Sequence, residues 1–403
     1  KLEENYKIID QTLDQLIEKG AVEIDLLEAA DEMGEDYLNN VASLSNSWMS
    51  DFLGTNNTFE DMEIQIELGE EKELFMEQIK GVKVDNAIQS KEGQEQVIRA
   101  TKERGQQQLY FYLSGDKDTL NSLPRKEYKR FLCLRIFGII HRALYHNTYI
   151  FPPERSTLLQ FSPSSSSPPQ DNQPETMEEE EIRKMPGIFG SFMSVLQESY
   201  NKGLSKREDA AEDNEAIQQY LDLAEFLESG ILGGKVDITE KAPNFKDILF
   251  RHGGKIDIEI AASSSMVKEL SPLLLYLRFI AKPGDWIVFD EPEMNLHPKA
   301  QVKLAEFLGL LVRSGIRILA TTHSSYFVDH MVNLIKAADS EQGDQIEDKF
   351  FLGTSEAFIS QQDVSAYLFK ESSATNILTD EGLIDWNTFS SVSEKIEQLY
   401  FEI

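Results

Sequence analysis

Cysteine is almost missing from this chain. One thiol, Cys133, occurs in 403 residues, which excludes a disulfide framework and any multi-cysteine metal site and fits a reducing compartment. Long apolar runs are missing too. The most apolar stretch, SPLLLYLRFIA at 271–281, is interrupted by Arg278 and falls short of the roughly 20 residues that a bilayer span needs. No signal peptide opens the chain, so a soluble, cytoplasmic protein with no membrane partner is expected. Basic residues are scarce, 39 Lys and Arg against 70 Asp and Glu, for a formal net charge of -31. That field repels phosphate backbones and disfavours nucleic acid as a partner unless a local basic groove or a second subunit supplies the contact. An initiating methionine is also absent: the chain opens at Lys1 in a helical pattern and is expected to be a fragment or to lack its first segment.

What is present suggests two or three structural units around a large core. Helix-spaced apolar positions run through 2–54 (Ile9, Leu13, Leu16, then Leu26, Leu38, Val41), broken by Gly20 and Gly34, and predict two or three surface helices. MEIQIELG at 62–69 alternates strictly and QQLYFYLSG at 107–115 is rich in aromatics; both read as strands, with more between them. A helical pattern from Lys126 to His146 leads into NTYIFPPERS, a strand stopped by two prolines. SPSSSSPPQDNQPETMEEEE at 162–181 is too polar to pack and reads as a mobile excursion. Two helices follow within 187–229, then a hairpin from FKDILF and KIDIEIA. After it come helix 266–281, strand 286–290, helix 298–314, strand 316–321 and helix 325–337. This alternation predicts an α/β fold with a parallel sheet covered by helices, whose sites lie at the strand ends.

The chemistry concentrates there. In DWIVFDEPEMNLHP (285–298), four apolar residues precede Asp290 and Glu291. Two unpaired carboxylates at the tip of a buried strand need compensation, and a metal ion with a polarised water supplies it. The bland alternative is an acid pair that caps the following turn, with Glu293 serving the next helix. Downstream, IRILATTHSS brings His323 to the tip of a second apolar strand, beside the carboxylates if the strands are neighbours. Upstream, Ser263, Ser264 and Ser265 open an apolar helix, where free N–H groups and the helix dipole favour an anion; an ordinary N-cap explains one of them.

Serine-rich helix start, strand ending in Asp-Glu, NLHP turn and strand ending in His together resemble the heads of ABC-type ATPases. The likeness is to the OLD-like AAA15/AAA21 group, with SMC and Rad50 heads more distant. It implies an ABC-ATPase-like head with a mixed or parallel sheet, flanking helices and helical insertions. Asp290 and Glu291 would be the Walker B pair, Asp290 on Mg²⁺ and Glu291 as base. Glu293 to Pro298, with Asn295 and His297, would be the D-loop, and His323 the switch histidine. Ser263–Ser265 would stand for the signature, although serines occupy positions where that loop usually has glycines. Lys268, one turn on, is a candidate extra charge.

The resemblance further implies ATP as ligand, a dimer of heads closed around it, and an effector such as a nuclease or toxin in antiphage defence or DNA repair. A nucleotide-switched scaffold with little hydrolysis is the alternative. The implied layout is an N-terminal part of the head at 1–160, a linker at 161–182, a helical insertion at 183–232, the head with its motifs at 233–340 and a C-terminal α/β segment at 341–403. G-x-x-x-x-G-K-[ST] occurs nowhere; the near misses GILGGKV and RHGGKID lack the required glycine or hydroxyl. The P-loop is therefore expected before Lys1, or the head is degenerate.

Overall fold

The computed structural model describes residues 7–46, 49–50, 59, 61–69, 72–89, 96–113, 124–144, 147–153, 155, 204–212, 214–242, 245–253, 256–340, 343–370, 373–385 and 387–402. The polar excursion expected at 162–181 and the helix expected at 188–200 lie outside them. The chain divides into two compact units, Lys1–His146 and Asn147–Ile403, each with its own apolar core.

In the first unit, helix α1 (Lys7–Lys19) buries Ile9, Leu13 and Leu16 along one stripe and stops at Gly20, whose φ of +77° suits a residue without Cβ. The helices expected across 2–54 are interrupted by a strand. Residues Ala21–Asp25 form β1, burying Val22 and Ile24 alternately, before helix α2 (Leu26–Ala42) begins. Five residues are too few to register against the longer helical pattern around them. The strand expected at 62–69 does not form. Ile66 N–H donates to Asn39 Oδ1 at 2.7 Å and Leu68 N–H to Glu35 Oε1 at 3.3 Å, so polar side chains of α2 take the backbone groups that a neighbouring strand would need. Past helix α3 (Lys72–Gly81), strands β2 (Val84–Gln89), β3 (Gln96–Lys102) and β4 (Gln108–Leu113) complete an antiparallel sheet of order β1-β4-β3-β2. Helix α4 (Arg125–Leu144) closes the unit and buries Leu132, Ile136 and Ile140.

The second unit is built around a parallel sheet. Strand β5 (Thr148–Phe151) is followed by helices α5 (Leu204–Glu212) and α6 (Glu215–Leu227) and by an antiparallel sheet of β6 (Gly234–Ala242), β7 (Phe245–His252) and β8 (Ile256–Glu259). The β7–β8 hairpin matches the sequence expectation; β6 was hidden among glycine-rich turns. Helix α7 (Ser265–Phe279), strand β9 (Trp286–Asp290), helix α8 (Pro298–Arg313), strand β10 (Arg317–Thr321) and helix α9 (Ser325–Ala338) come next, each within two residues of its expected bounds. Strands β11 (Tyr367–Lys370) and β12 (Ser373–Asn376) and helix α10 (Asn387–Glu402) end the chain. The chain is α/β, with parallel and antiparallel sheets and flanking helices. Among the described residues no helix is long and apolar enough to cross a membrane.

Sheet order β10-β9-β5 makes β9 the middle strand, parallel to both neighbours. Asp285 fixes the register at the lower end. Its Oδ1 accepts Asn147 Nδ2 at 3.0 Å and its backbone oxygen accepts Arg317 N–H at 2.9 Å, while Trp286 N–H donates to Asn147 O at 2.8 Å. Its Oδ2 accepts the Tyr276 hydroxyl at 2.8 Å and Lys282 N–H at 2.9 Å. Burial pushes the Asp285 carboxyl above its usual range, against the pull of these donors. With the starts aligned, the tips align: Phe151 pairs with Phe289, and Thr321 with Asp290.

The apolar run of β9 is buried on one face only. Ile287 and Phe289 pack against residues of α7 and α8, whereas Trp286, Val288 and Asp290 share the half-open face with Leu319, itself 55% exposed. Each fully buried aliphatic or aromatic side chain in this core contributes about 1.5–3 kcal/mol.

Candidate functional site

Parallel pairing puts the tips of β9 and β10 side by side, and three polar residues follow from that. The Thr321 hydroxyl donates to Asp290 Oδ1 and accepts Glu291 N–H at 3.1 Å. Glu291 Oε1 then lies 3.8 Å from His323 Nε2, with the Glu291 side chain 37% and the His323 side chain 81% exposed. Among the described residues no donor reaches Asp290 Oδ2. The acid pair is thus not spent on capping its own turn: one acid is held by the neighbouring strand, and the other faces a histidine at the opening.

Glu293 sits just behind. Its Oε1 accepts the Thr322 hydroxyl at 2.7 Å and His323 N–H at 2.8 Å, so it serves the histidine loop and not the helix that follows it. Among the described residues its buried Oε2 has no hydrogen-bond partner. That helix, α8, is N-capped by His297, whose Nδ1 accepts Lys299 N–H at 3.3 Å. Asn295 Nδ2 donates to Glu269 Oε1 at 3.0 Å. Among the three serines, Ser264 is the N-cap of α7, accepting Val267 N–H at 3.4 Å; Ser263 donates its hydroxyl to Ile260 O at 2.6 Å, and Ser265 is exposed. Lys268 Nζ reaches Ala261 O at 3.5 Å. Asp290, Glu291 and His323 are brought together, while no hydrogen bond or ion pair among the described residues joins Ser263–Ser265 to them.

Two residues that the sequence did not single out organise the rest. Arg155, in the FPPERS turn after β5, is fully buried. It donates to the carbonyls of Asp290 (3.4 Å), Glu291 (3.2 Å), Pro292 (2.8 Å) and Glu269 (2.9 Å), and its guanidinium stacks on the Phe289 ring at 4.8 Å. Glu269, on α7, faces it at 3.7 Å. Burial pulls the Arg155 guanidinium down to about 10, opposed by Glu269, Glu293, Asp290 and Glu291 in turn, so it stays charged at neutral pH. Four carboxylates stand near this one guanidinium, so acids outnumber the base at the turn. A lone acid inside the apolar helix SMVKELSPLLLYL was the available signal for Glu269, since such a group needs a partner.

Residues 146–329 match the family described as "AAA domain, putative AbiEii toxin, Type IV TA system". This stretch is similar to the OLD-like, ABC-type ATPases. The chain is 27% identical over 181 residues to the Old nuclease of Escherichia phage P2, an overlap that covers 41% of this chain and 30% of that protein. It therefore spans less than a third of that relative's length. A solved SMC head bound to the C-winged helix domain of ScpA overlaps 58% of this chain and 61% of its own, at 15% identity and a TM-score of 0.26. Within the matched segment, a divalent cation fits the surplus of carboxylates and the open Asp290 Oδ2. Among the described residues no cluster of three or more His, Cys, Asp or Glu is placed to hold a metal ion.

Proposed function

We propose that this chain binds and hydrolyses ATP with Mg²⁺ in a composite site between two heads, and that the resulting closure and release drive or restrain an effector. The observation that carries the reading is the meeting of Asp290, Glu291 and His323 at neighbouring strand tips, with 3.8 Å between the last two. Asp290 holds the metal directly or through water; magnesium, when bound, neutralises charge on the β- and γ-phosphates. Glu291 accepts the proton of the attacking water. His323, largely exposed, donates to a γ-phosphate oxygen. Ser263, Ser264 and Ser265 face the nucleotide of the second head, the N–H groups of Ser264 and Ser265 and the dipole of α7 favouring its phosphates while the Ser263 N–H stays on Ile260 O, with Asn295 and His297 in the intervening D-loop.

The β- and γ-phosphates also need a P-loop, which these 403 residues do not contain, so a P-loop-bearing segment completes each head. The half-open sheet face beside Asp290 supports this, because parallel sheets are seldom left bare on one side. In this reading 233–340 form the head proper, joined by β5 and Arg155, and 341–403 are a C-terminal segment. The word nuclease in the phage relative's name and toxin in the family description support an effector of that kind, in antiphage defence or DNA repair.

ATP turnover by the natural full-length protein is the test. Glu291→Gln should lower kcat by about 10²–10⁴-fold and trap an ATP-bound dimer on size-exclusion chromatography. His323→Ala should slow hydrolysis far more than it weakens binding. Normal turnover in Glu291→Gln removes Glu291 from the base role; ATP binding by the wild type without hydrolysis points instead to a nucleotide-switched scaffold.

A further inference from the structure

Among the described residues, Glu291 and Asn295 alone combine a side chain with a left-handed backbone, at φ +44° and +59°. L-residues disfavour this region because Cβ crowds the neighbouring carbonyl, and such strain persists only where the surroundings over-determine it. Both residues are braced by one buried pair. Arg155 donates to three successive carbonyls, of Asp290, Glu291 and Pro292. Glu269 anchors Arg155 through its own carbonyl at 2.9 Å and a carboxylate contact at 3.7 Å, and its Oε1 takes the Asn295 amide. Thr321 holds the other side of the Glu291 peptide through its N–H. The stack on Phe289 fixes the plane of the guanidinium fork.

We infer that Arg155 and Glu269 are a positioning pair: they lock the two strained turns so that the Glu291 carboxylate is held at His323 before any ligand arrives. The functional half of this inference rests on the ATPase reading given above. Arg155 spreads its bonds over three nitrogens, Nε to Glu269 O, one terminal nitrogen to Asp290 O and Glu291 O and the other to Pro292 O, a span that the single nitrogen of a lysine does not cover, so lysine at 155 keeps the charge and loses the lock. Glutamine at 269 keeps an acceptor for Asn295 and removes the charge that faces Arg155.

The test uses the natural full-length protein with Arg155→Lys and, separately, Glu269→Gln. Amide hydrogen exchange, measured without nucleotide, reads the turn at Glu291, Met294 and Leu296, whose N–H groups bond Thr321 Oγ1, Glu291 O and Glu293 O. Steady-state kinetics read kcat and KM. Faster exchange at these amides with a fall in kcat of about 10²-fold and an unchanged KM is the expected result, with exchange across β9 and α8 unaltered. Unchanged exchange in both variants overturns the inference, as does faster exchange with wild-type kcat. A wild type that hydrolyses nothing, while both variants still loosen the turn, sinks the ATPase reading and leaves the lock standing.

Discussion

Glu306 is the carboxylate on which the second unit is most exposed to a single change. It lies fully buried in α8, eight residues after that helix begins. Its Oε1 takes Phe351 N–H at 2.9 Å and meets His330 Nε2 of α9 at 2.7 Å, while its Oε2 takes Leu352 N–H at 2.6 Å. One side chain therefore joins the helix after the acid pair, the helix after His323 and the chain at 351–352. Replacing it with leucine keeps the volume and takes the acceptors from two part-buried N–H groups, at up to about 1–3 kcal/mol each, so up to about 2–6 kcal/mol is lost in all. Glutamine retains one acceptor oxygen and turns an NH₂ toward the second donor, and should cost about 1–3 kcal/mol. Against a total stability of about 5–15 kcal/mol, the leucine variant approaches unfolding. Urea denaturation followed by far-UV circular dichroism gives the ranking wild type, Glu306→Gln, Glu306→Leu. If Glu306→Leu unfolds within about 0.5 kcal/mol of wild type, water or rearrangement satisfies those amides and the reasoning fails.

Further outcomes follow from packing and from burial of charge. A Cβ on Gly309 of α8 would lie 2.1 Å from Ala357 O; Gly309→Ala should lower the melting temperature even though alanine is the better helix former by about 1 kcal/mol, and a rise in thermal scans would mean that the 357 segment yields freely. Asp285 titrates above its usual range because burial opposes its charge. Its protonated form is therefore favoured in the folded chain, and its contribution is present at low pH and lost as pH rises from the ordinary carboxylate range through the raised value. The stability of wild type relative to Asp285→Asn should fall over that interval in urea midpoints; a relative stability that grows with pH contradicts the assignment.

Periodicity carried the second half of the chain. Trp286–Asp290 and the helices on either side fell where apolar spacing put them, because their sequences agree with the structure locally and globally. The same reasoning failed at 62–69, where a strict alternation met no partner strand and was tied instead to Asn39 and Glu35. It also missed β1, five residues between two strongly periodic helices. Alternation reports a face, and whether that face pairs is decided by what lies beside it.

From its residues alone this protein declared an α/β architecture, strand tips rich in acids, and a histidine two residues beyond the next strand. Those are consequences of short-range pattern, in which side-chain period and chain order suffice. Tertiary structure alone decided that Arg155, more than a hundred residues upstream in sequence, would lie beneath the acid turn, and that Glu269 would meet both it and Asn295. No local rule encodes such pairings, because a buried charge is satisfied by whatever the folded chain brings within hydrogen-bonding reach.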